Sequence, residues 1–140
     1  MSNAYLYKQV MVVDDTDIDR LISVAFIKKN LFAEEVSAHS SVFAALRHLH
    51  ALEKHPDSFP PVIFLDVNMP IMDGFAFLDN YLKLPDDLQR RSTIIMISAT
   101  NSEEDFVRIH SYPIVRMFFQ KPLSEAILNE IRTAMAIAVS

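Results

Sequence analysis

Three short runs in this chain are apolar at every position: residues 10–13 (Val-Met-Val-Val), 62–65 (Val-Ile-Phe-Leu) and 94–97 (Ile-Ile-Met-Ile). A strand with one wet face alternates apolar and polar side chains, so unbroken runs rich in β-branched residues demand cover on both faces. Between the runs the apolar period changes to that of a helix. Ile18, Leu21, Ile22, Ala25 and Phe26 fall at i, i+3, i+4, i+7 and i+8 and make one helix face. Helical patterns recur over residues 41–54, 75–84, 102–110 and 124–139, and two weaker strands are read at 35–38 and 116–120. Strict alternation of five strands with five helices implies right-handed βαβ crossovers, and so a parallel sheet with helices on both faces. Thr16, with Asp19 three residues on, is expected to open the first helix as a capping box weakened by the shorter acid. Residues 85–91 are expected to be a polar connection.

The 140 residues leave room for one domain of the usual size, about 100–200 residues, and a chain that is 51% hydrophobic can bury a real core. No repeat, linker or low-complexity tract divides it. Residues 1–140 are therefore read as a single domain, with a core over about 8–139 and no output domain. The only glycine, Gly74, excludes a Gly-rich phosphate loop or a dinucleotide fingerprint. The absence of cysteine excludes thiol nucleophiles, disulfides and Cys-based metal sites. His39, His48, His50, His55 and His110 form no HExxH pattern and are read as surface residues. The net charge is −5 and no basic run exceeds Lys28-Lys29 or Arg90-Arg91, so direct nucleic-acid contact is not expected. No stretch approaches the roughly 18 apolar residues of a membrane span, and residues 1–8 lack a signal pattern, which makes the cytoplasm the expected location.

Ligands of open parallel sheets bind beyond the carboxyl ends of the strands. Those positions are polar here: Asp14-Asp15 after the first run, Asp66 after the third strand, Ser98 after the fourth, and Lys121-Pro122 after the fifth. Three converging carboxylates repel one another unless a cation is present, and hard oxygen donors select Mg²⁺ or a similar ion over zinc. A metal beside a lysine and a hydroxyl, with a carboxylate free to act as nucleophile, suits phosphoryl transfer. Asp66 is the nucleophile candidate. It opens residues 66–74, DVNMPIMDG, where Pro70 and Gly74 mark a tight loop expected to leave the strand end exposed. Singly, each residue has a plainer reading: turn or helix-start charges for the acids, a helix cap for Ser98, a solvated charge for Lys121. Their coincidence at successive strand ends carries the argument. Phe118 and Phe119 alternate faces of a strand, with Phe118 the solvent-side candidate, whereas Phe26, Phe43, Phe64, Phe75 and Phe77 need no reading beyond apolar packing.

In this order and at these separations, Asp14-Asp15, Asp66 in DVNMPIMDG, Ser98-Ala99 and Lys121-Pro122 resemble the receiver domains of two-component response regulators, including chemotaxis-type regulators, over nearly the full chain. The resemblance implies a flavodoxin-like (βα)5 fold with strand order 2-1-3-4-5. It also implies a phosphoryl group carried on Asp66 as a mixed anhydride. Asp15 and Asp66 would ligate Mg²⁺, or Mn²⁺, through their carboxylates, Asn68 through its backbone carbonyl, and Asp14 through water. Ser98 and Lys121 would contact phosphoryl oxygens, and Phe118 matches the aromatic switch position. The implied partners are a histidine kinase or histidine phosphotransfer protein and a downstream protein target, and no turnover is implied beyond Mg-dependent self-phosphorylation and autodephosphorylation. Ile114-Val115 depart from the Gly-Ala pair of most relatives, adding bulk that bears on loop movement and on an apolar partner surface. The rival readings are an interaction module that never carries phosphate, a receiver cut from a larger protein, and a metal-dependent phosphohydrolase. The last would need a general acid and a cap that are not visible.

Overall fold

The three unbroken runs become β1 (Tyr7–Val13), β3 (Val62–Asp66) and β4 (Thr93–Ser98), flanked by β2 (Ala33–His39) and β5 (Val115–Gln120). This is a computed structural model and it describes residues 4–100 and 102–139, so the first three residues of the segment read for a signal pattern lie outside it. All strands pair in parallel in the order β2-β1-β3-β4-β5, the expected flavodoxin-like topology. β3 is buried at every position, as a central strand covered on both faces must be.

Among the described residues, six α-helices and a short 3-10 turn at Pro56–Ser58 flank the sheet; the α-helices are α1 (Asp17–Lys29), α2 (Val42–Ala51), α3 (Gly74–Tyr81), α4 (Asp86–Gln89), α5 (Glu103–Ile109) and α6 (Glu125–Val139). The pleat sends Met11, Val13, Ile63, Leu65, Ile94 and Met96 to one face, where they meet Leu49 of α2, Phe75 and Leu78 of α3 and Ile109 of α5. Val10, Val12, Val62, Phe64 and Ile95 face the other way, against Ile27 of α1 and Leu128 and Ile131 of α6. Each fully buried side chain of this kind contributes about 1.5–3 kcal/mol, so both layers are stabilised by the same strands.

Local chemistry sets the helix starts. Ser41, Asp73 and Ser102 each accept a bond from the amide three residues on, Ala44, Ala76 and Asp105 respectively. Past the end of α1, Leu31 adopts φ 57°, the left-handed position of a Schellman turn, with Phe32 N donating to Ile27 O and Leu31 N to Lys28 O.

Five expectations change. Residues 85–91 are not irregular: Pro85 precedes α4, Leu88 is buried, and Tyr81 Oη donates to Gln89 O at 2.9 Å. Thr16 makes no side-chain cap, and its own amide donates to Asp14 Oδ1 at 2.9 Å rather than to Asp19, which contacts Lys121. α1 is rotated from its apparent apolar stripe, so Ile18 and Leu21 are exposed while Ser23 and Ile27 are buried. The rotation brings Arg20 to the Asp14 carbonyl at 2.9 Å and Asp19 to Lys121, which the apolar period cannot register. Phe43 is 61% exposed under the guanidinium of Arg47 rather than packed in the core. Of the histidines, His50, His55 and His110 are exposed as expected, whereas His39 and His48 are half-buried with ring centroids 5.0 Å apart.

Candidate functional site

The carboxyl ends of β1, β3, β4 and β5 open on one crevice, where Asp14, Asp15, Asp66, Ser98 and Lys121 meet. Asp14 is fixed by its amide, which donates to His39 O at 3.0 Å, and by Thr16 N on its Oδ1. Its Oδ2 is buried with no well-directed hydrogen-bond donor, although Lys121 Nζ stands 2.7 Å away. Asp66 closes β3 and is only 3% exposed, so the loop leaves the strand end less open than its turn residues suggested. Asn68 N approaches Asp66 Oδ1 at 3.4 Å, and the next turn is held by Gly74 N donating to Val67 O at 3.0 Å.

One carboxylate oxygen each from Asp14, Asp15 and Asp66 lie within 4.8 Å of one another. Three hard anionic donors and an orphaned buried oxygen on Asp14 fit a divalent cation of the Mg²⁺ class. Burial and the neighbouring Asp14 push the Asp66 carboxyl up to about 7, against the pull of Lys121. Burial opposes the Lys121 ammonium, but the carboxylates of Asp14 and Asp19 beside it outweigh burial and its pKa is raised.

Ser98 is fully buried at the end of β4, its Oγ accepting from Thr100 N at 3.2 Å and facing Asn68 Nδ2 at 3.4 Å. The same amide nitrogen of Asn68 lies 3.4 Å from Asp105 Oδ2 on α5, so the residue bridges the Asp66 loop and that helix. Lys121 N donates to Ser98 O at 2.7 Å and ties the last strand end to the fourth.

Phe118 is half-buried rather than on the solvent side. It packs into the layer of α2, α3 and α5, while Phe119 packs into the opposite layer. The Phe106 ring of α5 meets Phe118 edge-on with centroids 6.4 Å apart. A groove of about 370 Å³ runs beside them and is lined by Tyr112, Val115 and Met117 among others; Ile114 and Val115 pack half-buried against the core.

The sequence reading missed Asp19, Asp105 and Phe106. A signal existed for Asp19, an acid in the first turn of the expected helix and close behind the Asp14-Asp15 strand end. For Phe106 none did, since an aromatic in a helical pattern reads as packing.

The family described as response regulator receiver domain matches residues 10–132. Among curated proteins, protein-glutamate methylesterase/protein-glutamine glutaminase 1 of Hahella chejuensis is 35% identical over 98 residues, 70% of this chain and 24% of that protein. The corresponding enzyme 3 of Rhodopseudomonas palustris is 30% identical over 104 residues, 74% of this chain and 26% of that protein. The chain spans about a quarter of the length of these relatives. Among solved structures, the response regulator receiver protein of Dyadobacter fermentans matches with a TM-score of 0.79 at 27% identity, covering 91% of this chain and 96% of that one. The two component response regulator of Cytophaga hutchinsonii reaches 0.83 at 23% identity over 92% and 96%, a likeness of fold.

Proposed function

Because the chain belongs to the response regulator receiver domain family, we propose that it accepts a phosphoryl group on Asp66 from a phosphohistidine and thereby alters a surface read by another protein. The donor is a histidine kinase or a histidine phosphotransfer protein. The observation that carries this reading is the meeting of Asp66 with Lys121, 3.4 Å apart, inside a cluster of three carboxylates built to hold a cation.

In the transfer, an ionised Asp66 oxygen forms a bond to phosphorus as the phosphorus–nitrogen bond breaks. The electron pair returns to the donor imidazole, which takes up a proton. Asp14, Asp15 and Asp66, with the backbone carbonyl of Asn68, are the residues to hold Mg²⁺ or Mn²⁺. When bound, the ion would neutralise charge on the phosphoryl oxygens. Lys121 would pair with one of those oxygens and the Ser98 hydroxyl would donate to another. Phe118, packed against Phe106 of α5, would report the change. Turnover is confined to the chain's own phosphoryl group.

Under this proposal residues 1–140 act as one receiver domain, supported by a match over residues 10–132. The methylesterase and glutaminase activities in the relatives' names are not carried over, since the chain spans about a quarter of those proteins. Among the described residues no helix is long and apolar enough to cross a membrane, and a cytoplasmic place is part of the same proposal.

The test is a mass spectrum after incubation with a small-molecule phosphodonor and Mg²⁺. Wild type should gain one phosphoryl mass and Asp66→Asn none. Equal gain in both removes Asp66 from the role, and no gain in wild type favours an interaction module that does not carry phosphate.

A further inference from the structure

The one ammonium of the crevice is shared unevenly. Lys121 Nζ stands 2.7 Å from Asp14 Oδ2, 3.0 Å from Asp19 Oδ2 and 3.4 Å from Asp66 Oδ2. Asp19 therefore holds the lysine more closely than does the residue that would carry the phosphoryl group. It comes from the first turn of α1 and is not one of the three carboxylates that cluster within 4.8 Å, so it engages the ammonium rather than the cation position. Its neighbour Arg20 is committed to Asp17 Oδ1 and the Asp14 carbonyl, which leaves Lys121 as the cation that Asp19 contacts.

We propose that Asp19 is a positioning residue that restrains Lys121 in the unphosphorylated state and has to release it when Asp66 carries a phosphoryl group, an inference that rests on the phosphoacceptor reading. An ammonium has three donors, and three carboxylates already lie within ion-pair distance of this one. Phosphorylation removes the Asp66 carboxylate from that set, so a phosphoryl oxygen inherits the most distant of the three positions, and Lys121 can close on it only by lengthening its shorter contact with Asp14 or Asp19. Asp14 is fully buried and no other protein group donates to its Oδ2, so losing the lysine there leaves a bound cation as the sole compensation of a buried charge. The Asp19 side chain is 31% exposed, and water can replace the lysine at its carboxylate. Asp19 is thus the partner that yields, and its grip sets part of the cost of engaging the phosphoryl group.

The experiment measures beryllofluoride affinity at saturating Mg²⁺ for wild type, Asp19→Asn, Asp19→Glu and Asp17→Asn, each as the full chain. It also measures Mg²⁺ affinity without the anion, by calorimetry. Asp17 controls for charge alone, being on the same turn, 93% exposed at its side chain and paired with Arg20 rather than Lys121. Asp19→Asn should bind beryllofluoride about 3–10-fold tighter than wild type, and the gain should persist at high salt, where exposed charges are screened. Its Mg²⁺ affinity should change no more than that of Asp17→Asn, while Asp19→Glu should stay within about twofold of wild type. The proposal is overturned if Asp19→Asn matches Asp17→Asn in beryllofluoride affinity, or binds the anion more weakly than wild type. If wild type neither binds beryllofluoride nor gains phosphoryl mass, the phosphoacceptor reading itself fails. If it does both and the two asparagine variants agree, only the role of Asp19 falls.

Discussion

Gly74 lies so close to the main chain of Asp66 that a Cβ placed on it would stand 2.5 Å from the Asp66 carbonyl oxygen and 2.8 Å from Met96 Cε. The methionine tip can move, but the strand end cannot move without carrying Asp66 with it. Gly74→Ala is therefore expected to destabilise the domain by about 1–3 kcal/mol and to slow phosphorylation at Asp66. A denaturant melt and a phosphodonor time course check both. Wild-type stability and rate would show that the loop absorbs the methyl group without disturbing the acid.

Asp66 makes stability depend on pH in a defined direction. Its carboxyl is raised to about 7 in the folded chain, chiefly by burial and next by Asp14, whereas in the unfolded chain it titrates in the ordinary carboxylate range. Between about pH 4 and 7 the folded state therefore binds the extra proton, and stability falls as pH rises through that window. Asp66→Asn abolishes the effect. Its stability relative to wild type should be near zero at about pH 4 and reach about 4 kcal/mol in favour of the variant by pH 8 with a chelator present. Added Mg²⁺ should shrink the difference, since a ligand that binds only the folded wild type stabilises it. Chemical denaturation across a pH series is the measurement, and a pH-independent difference would contradict the assigned shift.

Removing the lysine should do the reverse. The Lys121 side chain is 9% exposed and sits among Asp14, Asp19 and Asp66. Lys121→Ala is expected to cost about 2–4 kcal/mol at pH 8 without Mg²⁺, because it leaves buried carboxylates uncompensated. The cost should fall as the pH drops toward 5 and Asp66 takes up its proton. The raised lysine pKa keeps its stabilising contribution intact at pH 8, since that contribution is lost only as pH rises through the folded value. Thermal melts at the two pH values separate this from a simple packing loss, which would be the same at both.

The contact between Phe106 and Phe118, 6.4 Å between centroids, lies between α5 and β5. Beryllofluoride with Mg²⁺ should shift amide NMR signals of residues 98–100 and 114–120, and those of Phe106, while residues 36–46 on the far side of the sheet change much less. Asn101, within the same loop, lies outside the described residues. Phe106→Ala should alter the shifts at Phe118 without altering those at Asp66. Changes confined to the surroundings of Asp66 would leave Phe118 as ordinary packing.

Much of this architecture is legible one residue at a time. An unbroken β-branched run needs two covered faces wherever it occurs, so residues 62–65 announce a central strand without help from the rest of the chain. Asp14, Asp15, Asp66, Ser98 and Lys121 are legible for a related reason: in a parallel sheet the end of each strand points at the same crevice, and position along the chain converts directly to position in space. Helix faces are less legible. The stripe of Ile18 and Leu21 looks like a core face, yet both are exposed, because hydrophobic period registers only apolar area and α1 is also turned by Arg20 and Asp19.

The fold class, the strand order expected through resemblance and the residues at the strand ends are written in the amino-acid order, because local periodicity and position along the chain are enough to place them. How the charges are shared emerges with folding alone: Asp66 is almost closed from solvent, the buried Asp14 Oδ2 has Lys121 beside it and no well-directed donor, and Asp19 takes hold of a lysine 102 residues away. Phe118 likewise became half-buried against Phe106 only once α5 was laid beside β5. The physical reason is that burial and ion pairing are properties of three-dimensional neighbours. Distances of 2.7, 3.0 and 3.4 Å around one ammonium are set by where three strands end and a helix begins, and no spacing along the chain encodes them.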